Sequence, residues 1–402
     1  MIYLDNAATT QISEEVFEEM KPYLTTKFGN PGSVQGLGRE AKTAVDKARE
    51  QVADLMGTSP ANVIFTSGGT EANNLAILGT KKFLAKENKK HILVSAVEHS
   101  SVLNAAKAFS EVQNCGKIMQ KSDIKGKFYS KTIPVNVHGC VDLKTFCDEL
   151  CHDDEVGLVS IMQSNNEIGN LNDVDEFGKI CRAAHILFHT DCVQSAGVIA
   201  PPKYADFASI SSHKIHAPKG VGALCLFGLG SQVLEPIIHG GNAQERGLRA
   251  GTENVAGIVG FGKACEIAKK ERDEFSKRII CLKKAFYGKL RAEMKRHGIP
   301  HKSVWINGQL DALSKVISVT FKGVDAETLV LSLYPNDVYV SAGAACESHE
   351  SVPSHVLKAI GYSDEVARST IRVSLSSNTT KEDILTAVKT IAMSVAYLRP
   401  TE

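Results

Sequence analysis

Nowhere in its 402 residues does this sequence have the roughly 18 consecutive apolar residues that a membrane-spanning helix needs. Its formal net charge is only +1, so it lacks the basic surface typical of nucleic-acid-binding proteins. The N-terminus enters a strand-like run at once, without the basic and apolar leader of an exported chain. These absences favour a soluble cytoplasmic protein that binds neither nucleic acid nor membrane.

The sequence also lacks the common signatures of metal and nucleotide sites. None of its ten cysteines forms a Cys-x-x-Cys pair, and scattered single thiols in a long chain are typical of a reducing compartment. Cys147, Cys151 and His152 would share one face of a helix, but cysteine used as a small apolar residue is the simpler interpretation. We therefore predict no metal site. No strand is followed by Gly-x-Gly-x-x-Gly, which argues against a bound dinucleotide.

Apolar strand-like runs alternate with helical patterns between residues 62 and 210. This alternation predicts an α/β fold with a mainly parallel sheet flanked by helices. The predicted strands are residues 62–66, 91–95, 156–162, 185–189 and 206–210, and the Lys-rich residues 117–131 are predicted to form a solvated loop.

A long charged helix, predicted at residues 258–297, begins a second pattern in which helices and short strands are mixed. Because a single core rarely serves so long a chain, we predict two domains. The larger comprises residues 14–257, and the smaller, of α+β type, comprises residues 1–13 and 258–402.

Clusters of polar residues follow the predicted strands of the large domain. In parallel α/β sheets ligands bind beyond the carboxyl ends of the strands, so we expect these clusters to converge on one site. The candidate residues are Thr70, His99, Asn166, Asp191, Gln194, Ser211, His213 and Lys214.

Three of these features together fit the chemistry of pyridoxal phosphate. Lys214, at a strand end among small hydroxyl residues, is placed as an amine that forms a Schiff base with a carbonyl cofactor. Asp191 fits the partner of a pyridinium nitrogen, and Ser-Gly-Gly-Thr at 67–70 fits a phosphate cradle at a helix N-terminus. Singly, each has a simpler interpretation, namely a surface lysine, an aspartate in an Asx-turn and a helix cap. Their combination favours the cofactor.

Short motifs in a fixed order extend this pattern along nearly the whole chain. They are Tyr3-Leu-Asp-Asn-Ala-Ala-Thr-Thr, Gly29-Asn-Pro, Thr66-Ser-Gly-Gly-Thr-Glu-Ala-Asn-Asn, Glu98-His99, Asn165-Asn-Glu-Ile-Gly, Asp191-Cys-Val-Gln194, Ser211-Ser-His-Lys214, Gly247-Leu-Arg-Ala-Gly-Thr252, Ala345-Cys346 and Arg372-Val-Ser. In them the chain resembles the NifS/IscS cysteine desulfurase family of fold-type-I, class V aminotransferase-like proteins. The resemblance implies a pyridoxal-phosphate enzyme that converts L-cysteine to L-alanine and passes sulfur to an acceptor, such as an iron–sulfur scaffold protein.

The resemblance also implies roles around the cofactor ring. Lys214 would hold the cofactor, Asp191 would pair with the ring nitrogen, and His99 would stack on the ring. Gln194 and Asn166 would approach the ring oxygen, and Asn166 would also lie near the substrate.

Further roles concern the phosphate and the substrate carboxylate. By the same resemblance, Thr70, Ser211 and His213 would hold the phosphate, joined by Thr252 from the other subunit of a homodimer. Arg372 would clamp the substrate carboxylate, for which the planar guanidinium is suited.

Cys346 would be the second reactive residue. Its thiolate would attack the substrate sulfur and leave a persulfide on Cys346 and alanine as product, with Lys214 or His99 moving protons. A selenocysteine lyase is the main alternative, since that activity uses the same site, whereas a transaminase would leave Cys346 without a task. A catalytically inactive binding or assembly protein of the same fold is the alternative from another class. The presence of Lys214, His99, Asp191, Arg372 and Cys346 argues against it.

Overall fold

The computed structural model describes residues 1–111, 124–241, 243–343 and 353–399. The strands are β1 Ile2–Tyr3, β2 Val63–Thr66, β3 His91–Ser95, β4 Tyr129–Ile133, β5 Val156–Ser160, β6 Leu187–Asp191, β7 Phe207–Ser211, β8 Gly222–Leu226, β9 Val304–Asn307, β10 Val316–Phe321, β11 Val338–Tyr339, β12 Ser341–Ala342 and β13 Thr370–Ser374. The helices are α1 Glu14–Thr25, α2 Gly36–Met56, α3 Gly69–Leu78, α4 Lys81–Lys86, α5 Ser100–Phe109, α6 Leu143–His152, α7 Val174–Ala183, α8 Gly230–Val233, α9 Val255–Arg296, α10 Ala326–Leu333, α11 His355–Ala359, α12 Asp364–Arg368 and α13 Lys381–Leu398. Within these ranges no helix is long and apolar enough to cross a membrane.

The predicted mainly parallel sheet is present, with seven strands in the order β2-β8-β7-β6-β5-β3-β4. Strand β8 alone runs antiparallel to its neighbours β7 and β2. Successive residues of one strand enter apolar clusters on opposite sides of the sheet: Ile64 lies with α3 and α5, whereas Val63 and Phe65 lie with α2 and α9. Helices therefore cover both faces of the sheet. Parallel strands whose side chains are apolar on both faces need such cover.

Two predictions about this sheet need correction. The loop prediction was wrong for residues 129–131, because Tyr129–Ile133 forms the edge strand β4, whose central residues are exposed and whose two ends are buried. Residues 117–123 of that prediction lie outside the described residues. Strand β6 begins at Leu187 and not at 185, because His185 adopts a left-handed turn conformation with φ of 56° after α7.

A second, antiparallel sheet has the order β12-β13-β10-β9, and β1 pairs separately with β11. Its core collects Leu4 together with residues of α9, α10 and α13. Helix α9 joins this core to the first, since Phe261 near its start packs with α2 while Phe286 further along packs in the second core. The domain boundary at residue 257 stays a prediction, because α9 passes through it without a break.

A buried ion pair holds the start of β2. Arg49 donates to the Glu245 carboxylate at 2.6 and 2.8 Å and to the Val63 carbonyl at 2.6 Å. Glu245 also accepts from the Phe65 backbone N–H at 2.8 Å, although its own backbone lies at a φ of 43°, which is uncommon for a side-chain-bearing residue. The bidentate pair therefore fixes the strand that leads into α3.

We expect Arg49→Met to lower the free energy of unfolding by about 3 kcal/mol, because it leaves the buried Glu245 carboxylate without its cation. Urea denaturation followed by circular dichroism measures the loss. Lys47→Met is the matched control. Lys47 lies on α2, as Arg49 does, and forms an exposed ion pair with Glu19 of α1. Its substitution should lower the free energy of unfolding by less than about 1 kcal/mol. Equal losses in the two variants would contradict this account of β2.

Candidate active site

A cavity of about 190 Å³ lies beyond the carboxyl ends of the parallel strands. It brings together the predicted residues Thr70, His99, Asn166, Asp191, Gln194, Ser211, His213, Lys214 and Arg372. The expected convergence of the strand ends is therefore observed. The cavity wall also contains backbone from the N-terminal segment, at Ala7 and Ala8.

Lys214 stands at the centre of this site. Strand β7 ends at Ser211, and a single 3-10 turn, Ser212–Lys214, directs the lysine toward the N-terminal segment. Its Nζ donates to the carbonyl oxygens of Ala7 and Ala8 at 2.5 and 2.7 Å. The amine is thus held at the cavity wall by two fixed acceptors, which the sequence did not predict.

Asp191, at the end of β6, is buried and accepts two hydrogen bonds. Its Oδ1 accepts from the Val193 backbone N–H at 2.8 Å, which is the Asx-turn considered as the simpler interpretation. Its Oδ2 accepts from Asn73 Nδ2 at 2.8 Å. The turn fixes the carboxylate in the cavity wall, so the structural and the functional interpretations are compatible.

A chain of hydrogen bonds continues from Asp191 to His99. Asn73 Nδ2 also donates to Ser101 Oγ at 2.9 Å, and Ser101 Oγ lies 2.7 Å from His99 Nδ1. The Ser101 backbone N–H donates to the same Nδ1 at 3.1 Å, which makes Nδ1 an acceptor and leaves any ring proton on Nε2. Sequence reasoning gave no role to Asn73 or Ser101, because amides and hydroxyls on helices have no distinguishing pattern.

Arg372 in β13 is buried and lines the same cavity. Its Nη2 pairs with Asp5 Oδ1 at 2.8 Å, and its Nη1 donates to the Asn166 carbonyl at 3.1 Å. The predicted proximity of Arg372 and Asn166 is therefore present, whereas the partner Asp5 was not predicted.

The corner near the start of α3 is suited to an anion. Gly69 begins the helix at the cavity wall, where an added Cβ would lie 2.8 Å from Val193 and 3.5 Å from Ser211. The first N–H groups of a helix have no partner within the helix and attract anions. Burial, followed by the charges of Lys214, Lys219 and Lys315, lowers the pKa of His213 to about 4. His213 is therefore neutral at pH 7 and offers a hydrogen bond and not a charge.

Several buried polar atoms of this cavity have no partner within the described chain. They are Gln194 Oε1, Asn73 Oδ1 and Arg372 Nε. An unpaired buried polar atom is costly, so their concentration here indicates a site built for a polar ligand.

Glu98 lies fully buried directly before His99. Its Oε1 accepts from Ser95 Oγ at 2.6 Å and from the Met162 backbone N–H at 2.7 Å, which joins the ends of β3 and β5. Burial, with a smaller contribution from the Asp191 charge, raises the pKa of Glu98 to about 8. Glu98 is therefore mostly protonated at pH 7 and acts as a neutral hydrogen-bonding group.

Two predicted residues are not part of this cavity. Thr252 is exposed and lines a separate shallow pocket with Phe28 and Asn30. Cys346 lies outside the described residues, so its predicted role is not tested by the structure.

The chain is similar to known proteins in both sequence and structure. Residues 2–386 match the family model for aminotransferase class-V. The chain is 41% identical over 387 residues to a cysteine desulfurase IscS of Dictyoglomus turgidum, covering 95% of this chain and 91% of the relative. A solved NifS-like protein superposes with a TM-score of 0.84 at 34% identity, covering 99% of this chain and all of the other. SspA in complex with cysteine superposes with a TM-score of 0.74 at 31% identity, covering 93% of this chain and 99% of that one.

Glu98 generates a prediction about stability and pH. Because its folded pKa of about 8 exceeds the unfolded value near 4.3, the folded protein holds a proton that the unfolded chain releases between these two pH values. The contribution of Glu98 to stability is therefore present below about pH 4.3 and is lost as pH rises to about 8. We expect Glu98→Gln to remove this loss, which approaches about 1.4 kcal/mol per pH unit for one proton.

Thermal unfolding of both proteins between pH 5 and pH 9 measures the difference. The stability of the wild type should fall relative to that of Glu98→Gln up to about pH 8 and then stay level, whereas the exposed Glu50→Gln should follow the wild type. Parallel curves for wild type and Glu98→Gln would show that Glu98 is already ionised in the folded protein.

Proposed function

The chain belongs to the aminotransferase class-V family, and from that premise we propose that it acts as a pyridoxal-phosphate-dependent cysteine desulfurase. Membership confirms the predicted family resemblance and the predicted fold class. The observation that carries the proposal is the cavity where Lys214, Asp191, His99 and Arg372 converge. A cytoplasmic location and an iron–sulfur scaffold as sulfur acceptor remain predictions.

The cavity residues fit the cofactor. Lys214 has its amine at the cavity wall, the Asp191 carboxylate is held by the Val193 N–H, and Gly69 leaves room for phosphate at the start of α3. The unpaired Gln194 Oε1 and Asn73 Oδ1 give a polar ring further groups to bind. When bound, pyridoxal phosphate supplies an electron sink that stabilises negative charge on the substrate carbon next to the nitrogen.

The chain's own residues then orient the substrate and move protons. Arg372 holds the substrate carboxylate through its guanidinium, which Asp5 and the Asn166 carbonyl keep in position. Ser101 fixes the His99 ring from its Nδ1 side, so that Nε2 is the atom that carries the proton. Lys214, whose amine lies at the cavity wall, would be the second group that takes up and returns protons.

Cys346 supplies the sulfur chemistry in this proposal. Its thiolate attacks the substrate sulfur, the bond between the substrate's Cβ and sulfur breaks, and the sulfur stays on Cys346 as a persulfide. The carbon skeleton keeps the electron pair of the broken bond, takes up a proton and leaves as alanine. A thiol of the acceptor protein, or an added thiol reductant, then receives the sulfur.

The chain around Cys346 supports this role. On one side, β12 pairs with the strand of Arg372, with Ser341 directly opposite Arg372. On the other side, His355 lines the cavity. Along the chain, Cys346 therefore lies between a strand that pairs with the strand of Arg372 and a residue that lines the cavity.

We include in the proposal a homodimer in which Thr252 reaches the partner's phosphate. Large apolar side chains near Thr252 support it, because Leu24 and Phe28 are 61% and 71% exposed. Leu24 and Phe28 line one pocket with Thr252. Exposed apolar patches of this kind are typical of protein interfaces.

The central test measures alanine and sulfide released from L-cysteine in the presence of a thiol reductant. We expect Cys346→Ser to keep the visible absorbance of the bound cofactor while sulfide release falls by roughly a hundredfold or more. Lys214→Ala should lose the wild-type absorbance band. Cys281→Ser, at an exposed free cysteine of α9, is the matched control and should keep both activity and absorbance.

Full activity of Cys346→Ser on L-cysteine would overturn the persulfide mechanism. If the same variant processes only L-selenocysteine, the alternative of a selenocysteine lyase gains support. A wild type that binds no pyridoxal phosphate would refute the proposed function as a whole.

A second test concerns the dimer. We expect Phe28→Asp to weaken self-association at least roughly tenfold, because it places a charge in an apolar contact, and to weaken cofactor binding through loss of Thr252. Sedimentation velocity and cofactor titration measure the two effects. Leu331→Asp, at a site 73% exposed on α10, is the control. If Phe28→Asp remains dimeric with unchanged cofactor affinity, this face is not the interface.

A further inference from the structure

A second cavity, of about 460 Å³, lies behind the first. The two cavities share a single lining residue, Lys214. The second cavity is bounded by α1, by the middle of α9 and by the segment that precedes β10, where Lys315 is located. Lys214 therefore has the cofactor site on one side and Lys315 on the other.

Lys315 is an unusual residue for such a place. It is only 3% exposed, and its Nζ donates to the backbone carbonyl oxygen of Lys214 at 3.0 Å. Burial, followed by the charge of Lys214, lowers the pKa of Lys315 to about 7. The mechanism above gives no task to this buried amine.

The charged groups around Lys315 do not neutralise it. Three glutamates line the same cavity, Glu14 and Glu15 on α1 and Glu271 on α9, but all three are exposed. None of them is among the causes that shift the pKa of Lys315.

The other titratable groups nearby are histidines and lysines. The positive charge of Lys315 contributes to lowering the pKa of both His213 and His216, and Lys219 acts on His213 in the same direction. The charge of Lys315 therefore acts on His213, one position before Lys214, and on His216, two positions after it.

We propose that Lys315 is a positioning residue for Lys214: it holds Lys214 by its backbone carbonyl, and its positive charge lowers the proton affinity of the Lys214 nitrogen by electrostatic repulsion. An amine next to a second cation is a known way of obtaining a reactive lysine near neutral pH. The effect follows from Coulomb repulsion in a site shielded from water. Its consequence for the cofactor rests on the proposed function.

The test compares two substitutions that differ in charge. Lys315→Gln keeps a hydrogen-bond donor for the Lys214 carbonyl but no charge, whereas Lys315→Arg keeps both. The pH titration of the visible absorbance band of each holoenzyme reports protonation of the nitrogen between Lys214 and the cofactor. We expect the midpoint to be lower in Lys315→Arg than in Lys315→Gln by at least about half a pH unit, with the wild type between them.

Equal midpoints in the two variants would overturn the proposal, because a purely structural role of Lys315 does not separate them. The volume of the second cavity gives the larger arginine space. A wild type without any cofactor band would instead count against the proposed function and leave the next experiment to decide the role of Lys315.

That experiment needs no cofactor. Lys214→Met and Lys315→Met, alone and combined, are compared by thermal unfolding at pH 6 and at pH 9. At pH 6 both amines carry charge. We then expect the change in Tm caused by Lys214→Met to be more favourable in the wild-type background than in the Lys315→Met background. At pH 9, where Lys315 is neutral, this difference should disappear. The same difference at both pH values, or none at pH 6, would refute the repulsion.

Discussion

The architecture of the site depends on the hydrogen bonds that tie residues 5–10 to both sheets. Ala7 accepts from Lys214 Nζ and from Gln194 Nε2 on the side of the large sheet, while its N–H donates to Ser374 at the end of β13. Asp5 pairs with Arg372 of the same strand. Lys214 and Arg372 are therefore positioned against one short segment, and a shift of that segment would move both. Through this segment, residues of the large sheet and residues of the second sheet form one site.

Burial decides which groups near this site carry charge. His189 lies under the site between Ser160 and Ser209, and burial lowers its pKa to about 3, so it remains a neutral bridge between strands. The pKa of Glu98 is raised and that of His213 is lowered for the same reason. Arg372 and Asp5 form an ion pair across this site. The cavity thus has few charges, and in a region of low dielectric each of them acts strongly on a bound ligand.

The sequence alone predicted the part of the site that follows from topology. Thr70, Asp191 and Lys214 were expected to meet because each follows a strand of one parallel sheet, and the cavity contains all three. Arg372 required the family resemblance, since it comes from an antiparallel strand far along the chain. The supporting residues Asn73, Ser101 and Lys315 were missed, because their roles arise from contacts between distant segments. Strand β4 was missed for a related reason: with Lys131 exposed at a sheet edge, its sequence resembles that of a solvated loop.

The position of Lys214 between two cavities has a physical consequence for its chemistry. On the cofactor side, the carbonyls of Ala7 and Ala8 attract a protonated amine and would by themselves raise its proton affinity. A strongly protonated lysine is a poor nucleophile and a poor base, so these acceptors position the amine at a cost to its reactivity. A cation on the opposite side offsets that effect without occupying the cavity in which the proposed function places cofactor and substrate. Lys315 stands at that place and lines only the second cavity, so its charge acts on Lys214 through the protein and not through the ligand.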